Sequence, residues 1–507
     1  MKKIFHYSWA ALLLLMMSSC EKDLDKLNTN TTNPTAIDPV FQLNTALFNN
    51  SFPGSTLVYE IGIVQQIVTP NSGVLAGANF NQDNRDITQQ LWQAYYRNVI
   101  RNTKDVINRT ENLPERSNLM NMARIFQAYT FMILTDNYGD IPYFEGGGGY
   151  TDTVFFPKYD AQQDIYADII KELTEATAAL NPAAKTEPGE VLYGGNIEKW
   201  KKFGYSLLLR AGMRLSKVDA GKAEQTVKAA FAGGVILTNA DNAIMRHDPN
   251  YGQPIGNTLN ATEAANYYLT EPFVNFLKDN NDPRLSAIAI RYKGAKSGPE
   301  QTVDRGSTLA ADQVGMPLGY DNAGIVAVAA SKGLASFYDF SQVDRRRMVR
   351  LAAPVFYVTA AQTQLLLAEA RERGWITAGT VEGYYTAGVT AHMEQMATYD
   401  PASAIAPADI QAYLAANPFN PAIALQQINT QYWVASFLNG PEAFANFRRS
   451  GYPTLTPNPY PGKTITGTFI RRLSYPNSEI SVNTENVNAA ITRMGPDNLD
   501  TKVWWDK

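Results

Sequence analysis

Residues 117–144 read SNLMNMARIFQAYTFMILTDNYGDIPYF, and their hydrophobic pattern decides the class of fold. The large apolar side chains recur at steps of three or four residues, which places them on one face of an α-helix. They are Leu119, Met122, Phe126, Tyr129 and Ile133. Gly139 follows the last turn, where glycine suits the left-handed conformation that ends many helices. The stretch therefore predicts a long packed helix followed by a turn at residues 138–142.

The same periodicity continues on both sides of this helix. Three further predicted helices cover residues 86–112, 358–373 and 381–397. Four others are predicted from the residues that begin them: a capping box at Asp160 and Gln163, an N-cap at Asn196, the pair Asn420-Pro421, and Pro441. They come in pairs with short connections, as in arrays of helical repeats, although their spacing is too irregular for a single period. The pattern predicts an all-α protein.

Long polar stretches rich in Gly, Asn and Pro separate the helices. They cover residues 69–85, 138–159, 240–265, 293–335 and 451–490. Loops of this length are uncommon in compact domains unless they carry function. We therefore expect the helices to be the scaffold and the loops to be the working surface.

The N-terminus has the layout of a secretory signal. Two lysines precede the apolar run Ala10–Met17, and Ser18-Ser19 supplies small residues directly before Cys20. The run is too short to span a bilayer, and Cys20 is the only cysteine of the chain. We interpret residues 1–19 as a signal peptide and Cys20 as the lipidated residue. A cleaved signal before an ordinary free thiol is the alternative.

Composition limits the function classes. Removing 19 residues and two lysines leaves 42 basic and 48 acidic side chains, a net charge of 42 − 48 = −6, and no basic run stands out. That balance argues against nucleic-acid binding. The 27 tyrosines suit large contact surfaces or sugar-facing pockets, although a helical core would use them equally well.

No catalytic residue, metal site or cofactor stands out. The mature chain keeps only His247 and His392, and it has neither a nucleophile elbow nor a paired-histidine zinc motif. Gly462-Lys463-Thr464 resembles the tail of a P-loop, but prolines replace the first glycine and the amide donors it needs. The oxygens of residues 279–283 suit a structural calcium ion, yet a helix-ending turn is the favoured interpretation. Carboxylate pairs are numerous and none is marked by its setting, so a glycosidase stays a less favoured alternative.

The order of several segments resembles that of one known family. These include Tyr138-Gly-Asp-Ile-Pro142, residues 159–166, 193–200 and 367–375, Asn281-Asp-Pro-Arg284, Arg448-Arg-Ser-Gly-Tyr-Pro453, residues 472–476 and Val503-Trp-Trp-Asp506. Together they resemble the SusD/RagB family of outer-membrane nutrient-binding lipoproteins, in particular its SusD-like branch.

The resemblance implies one mainly α-helical domain over residues 41–507, built on tetratricopeptide-like helix pairs with long irregular loops and minor β hairpins. Residues 20–40 would be the lipidated N-terminus and a flexible tether. It also implies a non-enzymatic protein at the cell surface, the lid of a SusC-like TonB-dependent outer-membrane barrel, that captures an oligosaccharide. A RagB-like peptide binder and a structural or adhesive surface lipoprotein stay open beside this interpretation.

Two loop stretches combine aromatic rings with polar side chains, the mixture that binds sugars. The candidate ligand-binding residues are Phe80, Asn81, Asp83 and Arg85 in the first stretch, and Tyr251, Tyr267 and Tyr320 in the second. Neither stretch contains tryptophan, which argues against a starch-type platform and leaves another glycan or a peptide open.

Two further features favour structural interpretations. Arg448 and Arg449 are expected to tie their helix to the following loop by pairing with an acid such as Glu442. Trp504 and Trp505 are expected to pack and so to hold the C-terminal segment in place.

Overall fold

The helix expected from the opening stretch forms in a computed structural model of the chain, which describes residues 37–71, 77–149, 152–261 and 267–507. It runs from Ser117 to Tyr138, and most of its residues are buried. Gly139 follows with φ +83° and ψ −120°, so its φ is positive but its conformation is not the expected left-handed one. A Cβ atom at Gly139 would overlap the side chain of Met494. The turn needs glycine because few other residues adopt this backbone conformation, and the side chain of Met494 packs directly on it.

Helices dominate the described chain, and the prediction of a mainly α fold is confirmed. In chain order they are α1 Pro39–Asn49, α2 Ser55–Val58, α3 Glu60–Ile63, α4 Arg85–Tyr95, α5 Arg101–Thr110, α6 Ser117–Tyr138, α7 Gln162–Ala179, α8 Ile197–Arg214, α9 Ala220–Gly233, α10 Pro254–Asn260, α11 Glu271–Asp279, α12 Arg284–Ile288, α13 Gly324–Ser331, α14 Ala360–Glu372, α15 Val381–Tyr399, α16 Pro407–Ala416, α17 Ala424–Ala435, α18 Gly440–Ser450, α19 Asn477–Val482 and α20 Thr484–Met494. A π-helical turn, Tyr96–Ile100, joins α4 to α5, so the helix expected over 86–112 is continuous but contains this turn.

The long helices pack in successive pairs, as in tetratricopeptide repeats. The pairs in contact are α5 with α6, α6 with α7, α7 with α8, α8 with α9, α14 with α15 and α17 with α18. Helix α14 also contacts α8 and α17, so it joins the N-terminal pairs to the C-terminal ones. Among the described helices, none is both long and apolar enough to cross a membrane.

The predicted capping box at the start of α7 is wrong. The carboxylate of Asp160 accepts the backbone N–H groups of Tyr143 and Phe144, at 2.9 and 3.0 Å. Helix α7 begins at Gln162, whose N–H donates to Asp140 at 2.9 Å. Asp160 therefore binds the turn after α6, although the local sequence pattern assigns it to the start of α7.

Three small antiparallel sheets fix the loops. Their strands are β1 Ile67–Val68, β2 Ala243–Met245, β3 Tyr268–Leu269, β4 Ala289–Tyr292, β5 Gly306–Ser307, β6 Gln342–Val343 and β7 Val355–Val358. Strand β1 pairs with β3, β2 pairs with β7, and β4 lies between β5 and β6. Ile67 lies opposite Leu269, and Ala243 lies opposite Val358. Because these pairs join segments distant in sequence, they hold the loops against the helical scaffold.

One hydrophobic cluster extends through the helices from Val40 to Trp505. Trp505 is fully buried and its indole N–H donates to Asp136 at 2.9 Å, as expected for a residue that holds the C-terminal segment in place. A second, smaller cluster lies beneath the loops and includes Val68, Tyr268 and Met316.

Buried arginines cross-link the helices. Arg214 lies 2.6 Å from Glu442 and 3.1 Å from Asp136, and all three side chains are buried. Arg449 pairs with Glu369 of α14 at 2.6 Å. The expected pairing of Arg448 or Arg449 with Glu442 is therefore wrong, because Glu442 is already neutralised by α8. Arg448 does reach the following loop, where it donates to the carbonyl of Arg471 at 2.8 Å.

Candidate functional site

Two buried asparagines bring three distant loops together. Asn79 accepts the backbone N–H of Gly319 at 2.9 Å and donates to the carbonyl of Tyr320 at 3.1 Å. Asn458 donates to the carbonyls of Ala78 and Asn79, at 3.0 and 2.7 Å. The loops around residues 79, 320 and 458 therefore share one set of hydrogen bonds. Side-chain amides suit this work because each offers donors and an acceptor to backbone groups.

The shared hydrogen bonds present two tyrosines at the surface. Tyr320 and Tyr460 are both half-buried. Gly319 has φ +81°, and a Cβ atom there would lie 2.8 Å from Asn458 and 2.9 Å from Pro459. Tyr320 and Tyr460 each follow this close contact directly, so the two tyrosines lie on loops that are joined to one another. We call Tyr320, Tyr460 and their polar neighbours Gln82 and Asp321 the tyrosine face.

Packing beneath the tyrosine face keeps it in place. Tyr320 packs on the second hydrophobic cluster. Phe80 is 1% exposed, and its ring meets Tyr460 in a T-shaped contact with centroids 4.8 Å apart. Gln82 donates to the carbonyl of Gly462 at 2.9 Å, which ties the Tyr460 loop to the segment before α4.

The predicted site residues divide into three groups. Tyr320 lies on the tyrosine face, whereas Phe80 and Asn81 lie beneath it, buried. The backbone carbonyl of Asn81 accepts the N–H of Thr464 at 2.9 Å. The Phe80 ring supports a surface tyrosine and is not itself presented to solvent.

Asp83 and Arg85 form the second group, and they fasten the start of α4 to the C-terminal segments. Arg85 pairs with Asp497 at 2.6 Å and donates to the carbonyl of Tyr475 at 2.9 Å. Asp83 lies 3.3 Å from Arg85, and desolvation raises the pKa of its carboxyl group. The guanidinium group of Arg85 is therefore engaged within the protein.

Tyr251 and Tyr267 lie apart from the tyrosine face. Tyr251 is 66% exposed and packs on Phe48 of α1, with ring centroids 5.7 Å apart. Tyr267 is buried in the main hydrophobic cluster. The loop composition that identified these tyrosines does not distinguish a core position from a surface one. Cys20 lies outside the described residues.

Tyr460 is not among the ligand-binding residues predicted from the sequence. It lies in Pro457-Asn-Pro-Tyr-Pro461, inside a loop that was expected to be part of the working surface. The three prolines around Tyr460 restrict the backbone of this segment. An aromatic residue held in such a restricted loop is the sequence feature that could have identified Tyr460.

The tyrosine face offers stacking and hydrogen bonds. Tyrosine rings bind the apolar faces of sugars, and amide and carboxylate groups bind their hydroxyls. The described residues contain no cluster of three or more His, Cys, Asp or Glu side chains suited to a metal ion. At residues 279–283 the chain forms the predicted turn at the end of α11, and Arg284 occupies both carboxylate oxygens of Asp282.

Neither histidine lies on the tyrosine face. His392 is buried with Nδ1 3.1 Å from Arg284, and burial together with that cation lowers its pKa well below the usual value. His247 lies 2.8 Å from the hydroxyl of Ser51, and burial lowers its pKa too. Both imidazoles are held by contacts within the scaffold.

Comparison with known proteins identifies the family. The SusD-like family described as "Starch-binding associating with outer membrane" matches residues 29–476. A solved structure named as a chitin-binding protein is 32% identical, with TM-score 0.81, and the alignment covers 92% of this chain and 100% of that one. A Bacteroidetes protein named AC2a SusD-like is 26% identical, with TM-score 0.81 and coverage of 93% and 100%.

A SusD homolog from Flavobacterium johnsoniae, named as chitin-binding, has the same fold at 23% identity, with TM-score 0.73 and coverage of 92% and 95%. No curated protein matches the chain. Because the family match covers most of the sequence and the 32% identical structure covers nearly all of it, this chain belongs to the SusD-like family of proteins that associate with the outer membrane.

Proposed function

We propose that this protein captures an oligosaccharide on its tyrosine face and passes it to a SusC-like TonB-dependent barrel in the outer membrane. The observation that carries the proposal is the joining of three loops, through Asn79 and Asn458, behind two half-buried tyrosines. Such a surface binds a sugar without any catalytic group.

Chitin-derived oligosaccharides are the first ligands to test. The relative that is 32% identical over nearly its whole length is named a chitin-binding protein. An N-acetylglucosamine unit offers an apolar ring face to a tyrosine and an acetamido group to a polar neighbour such as Gln82 or Asp321. A peptide ligand stays the alternative, since tyrosines and amides also line peptide sites.

Calorimetric titration of the soluble domain with chitotetraose tests this site. We expect Tyr460→Ala and Tyr320→Ala each to weaken binding about three- to tenfold, the loss of one stacking contact. Tyr251→Ala is the matched control, because that exposed tyrosine packs on α1, away from the tyrosine face. Equal affinities for all three variants and the wild type would remove the tyrosine face from the proposal. Binding of peptides but not of any glycan would favour the peptide alternative.

The anchor and the barrel form the second part of the proposal. A lid must move beside its barrel without diffusing away, and a lipid on Cys20 followed by a flexible tether provides both properties. We expect Cys20→Ala to leave chitotetraose affinity unchanged in the soluble domain but to weaken uptake by cells. Affinity purification of the wild type in mild detergent should recover a large outer-membrane barrel.

The outcomes of these experiments separate the parts of the proposal. A Cys20→Ala protein that still fractionates with membranes argues against the lipid anchor. Unchanged uptake by a variant released from the membrane argues against the role of the anchor in import. Purification of the wild-type protein without a barrel argues against the lid.

A further inference from the structure

A cleft lies beside the last residues of the described chain. Its volume is about 590 Å³, and it lies between the first turn of α7, the end of α20 and residues 502–507. It shares no lining residue with the tyrosine face. Ligand sites in proteins commonly have volumes of about 300–1,000 Å³, so this cleft is large enough for a short oligosaccharide.

One wall of the cleft is the ring of Trp504. Six tryptophans lie in the described chain, and the five that are buried are Trp92, Trp200, Trp375, Trp433 and Trp505. Trp504 is half-buried, with its ring centroid 6.5 Å from that of Tyr166. Both C-terminal tryptophans pack on the main hydrophobic cluster as expected, but Trp504 is only partly buried. Trp504 keeps a partly accessible aromatic surface, the type of group on which sugar rings stack.

The charges around Trp504 leave a positive excess. Two acids line the cleft, and each is already neutralised: Asp140 lies 2.6 Å from Arg493, and Asp506 pairs with Arg471. Lys502 is exposed in the same lining and makes no ion pair with any residue of the described ranges. The side chain of Arg493 remains 42% exposed, so part of its guanidinium group faces solvent despite its pairing.

Polar groups complete the lining. Gln163, in the first turn of α7, is exposed and contributes an amide that can donate to and accept from hydroxyl groups. The cleft thus combines an aromatic ring, a neutral amide and two exposed lysines, Lys502 and Lys507, that make no ion pair within the described ranges. A neutral sugar would use the ring and the amide but would leave Lys502 without a partner.

We propose that this cleft binds an acidic oligosaccharide, with a sugar ring on Trp504 and a carboxylate on Lys502. Gln163 would bind ring hydroxyls, and Arg493 would supply a second donor to the carboxylate. The proposal goes beyond the tyrosine face, which carries no comparable cation excess, and it gives the protein a second, charge-selective site. An acidic ligand on Lys502 also predicts binding that weakens with added salt.

The fluorescence emission of Trp504 can report binding in this cleft. Trigalacturonate should change the emission of Trp504 in the soluble domain, and the signal should decrease as salt is raised. We expect Lys502→Ala to weaken trigalacturonate binding about tenfold, the effect of losing one charge-assisted hydrogen bond. Lys296→Ala, which removes another exposed lysine without an ion pair in the described chain, is the matched control. Trp504→Phe should retain binding but abolish the fluorescence change.

Three results would overturn the proposal. They are an absence of any emission change with millimolar trigalacturonate, equal affinities in Lys502→Ala and Lys296→Ala, and equal affinity for neutral chitotriose in the same cleft. The tyrosine-face variants distinguish this failure from that of the proposed function. Tyr460→Ala should lower chitotetraose affinity and leave the trigalacturonate signal unchanged, whichever way the Trp504 experiment comes out.

Discussion

In the helical scaffold, several buried arginines pair with buried acids, whereas behind the tyrosine face buried amides bind loop backbones. Arg214 contacts both Glu442 and Asp136, and Arg449 contacts Glu369. Asn79 and Asn458 instead make hydrogen bonds to main-chain groups of loops far apart in sequence. Within a helix the backbone groups satisfy one another except at its ends, so most buried side chains are free to join one helix to another. Loops have no such internal ladder, so side chains must satisfy their backbone.

This difference determines how each region should respond to mutation. Removing one member of a buried ion pair leaves an uncompensated charge in the interior, which is among the most destabilising single changes. Removing a neutral contact between loops costs less and acts locally. Damage to the scaffold should therefore appear in global stability, and damage to the tyrosine face should appear in ligand affinity.

The largest expected effect is that of Arg214→Met. The substitution leaves Asp136 buried without its cation and leaves Glu442 with Arg210 alone, so we expect a loss of about 3–5 kcal/mol in the free energy of unfolding. Urea denaturation followed by circular dichroism measures it. Lys228→Met is the control, because the Lys228–Glu224 pair on α9 is exposed and should contribute about 0–1 kcal/mol. Comparable losses in the two variants would contradict the importance of the buried pairs.

The second prediction concerns the pH dependence of stability and rests on two buried glutamates. Burial raises the pKa of Glu60 to about 7, with Arg448 opposing the shift only weakly. Burial also acts to raise the pKa of Glu369, but Arg449 and Arg373 lower it to about 2. Glu60 therefore favours the protonated form in the folded protein, and its contribution is fully present below about pH 4.5 and lost as the pH rises through 7. Glu369 acts in the opposite direction, and its contribution is lost as the pH falls below 4.5 toward 2.

Glu60→Gln isolates the first of these effects. A shift from 4.5 to about 7 corresponds to about 3 kcal/mol, so between pH 4.5 and 8 the wild type should lose about that much stability relative to the variant. The buried tyrosines around Glu60, namely Tyr59, Tyr95 and Tyr138, have pKa values raised above 10 by burial and stay neutral in this range. A difference between the two proteins that does not change with pH would contradict a protonated Glu60.

The helical scaffold was predictable because its signal is local. Apolar residues at steps of three or four predict a helix without knowledge of its neighbours, and α6 forms where that pattern places it, although from Ala128 onward it is buried on every side. The errors arose where a partner lies far away in sequence. Asp160 caps the turn after α6 instead of α7, and Arg449 selects Glu369, 80 residues away, over Glu442 on its own helix. Local sequence does not contain the information that chooses between such partners.

The tyrosine face was less predictable for the same reason. Composition selected two loop stretches, yet it could not tell Tyr320, which is half-buried, from Tyr267 in the core. A helix or a strand reveals its exposed side by periodicity, whereas an irregular loop has no period. Its exposed side depends on which other loops it meets, and the meeting of residues 319 and 458–459 joins segments about 140 residues apart.

The smallest expected difference in stability, about 1–3 kcal/mol, is that between two glycine variants, one at the contact that joins those loops and one away from it. In Gly319→Ala the new Cβ atom would lie 2.8 Å from Asn458 and 2.9 Å from Pro459, at a φ of +81°. Gly333 has a similar φ of +71°, but nothing lies within 4 Å of its Cβ position. Both variants should lose about 1–2 kcal/mol from the left-handed backbone, and Gly319→Ala about 1–3 kcal/mol more from the steric conflict.

Comparison of Gly319→Ala with Gly333→Ala therefore separates the cost of backbone strain from the cost of disturbing the contact between the loops. Since Tyr320 and Tyr460 follow the two sides of the contact, Gly319→Ala should also lower chitotetraose affinity, whereas Gly333→Ala should leave it unchanged. Urea denaturation and calorimetric titration of both variants provide the two measurements. Equal losses of stability together with unchanged affinity would mean that the loops carry the tyrosines independently. A loss of affinity confined to Gly319→Ala would mean that the face binds sugar only when both loops hold their tyrosines in register.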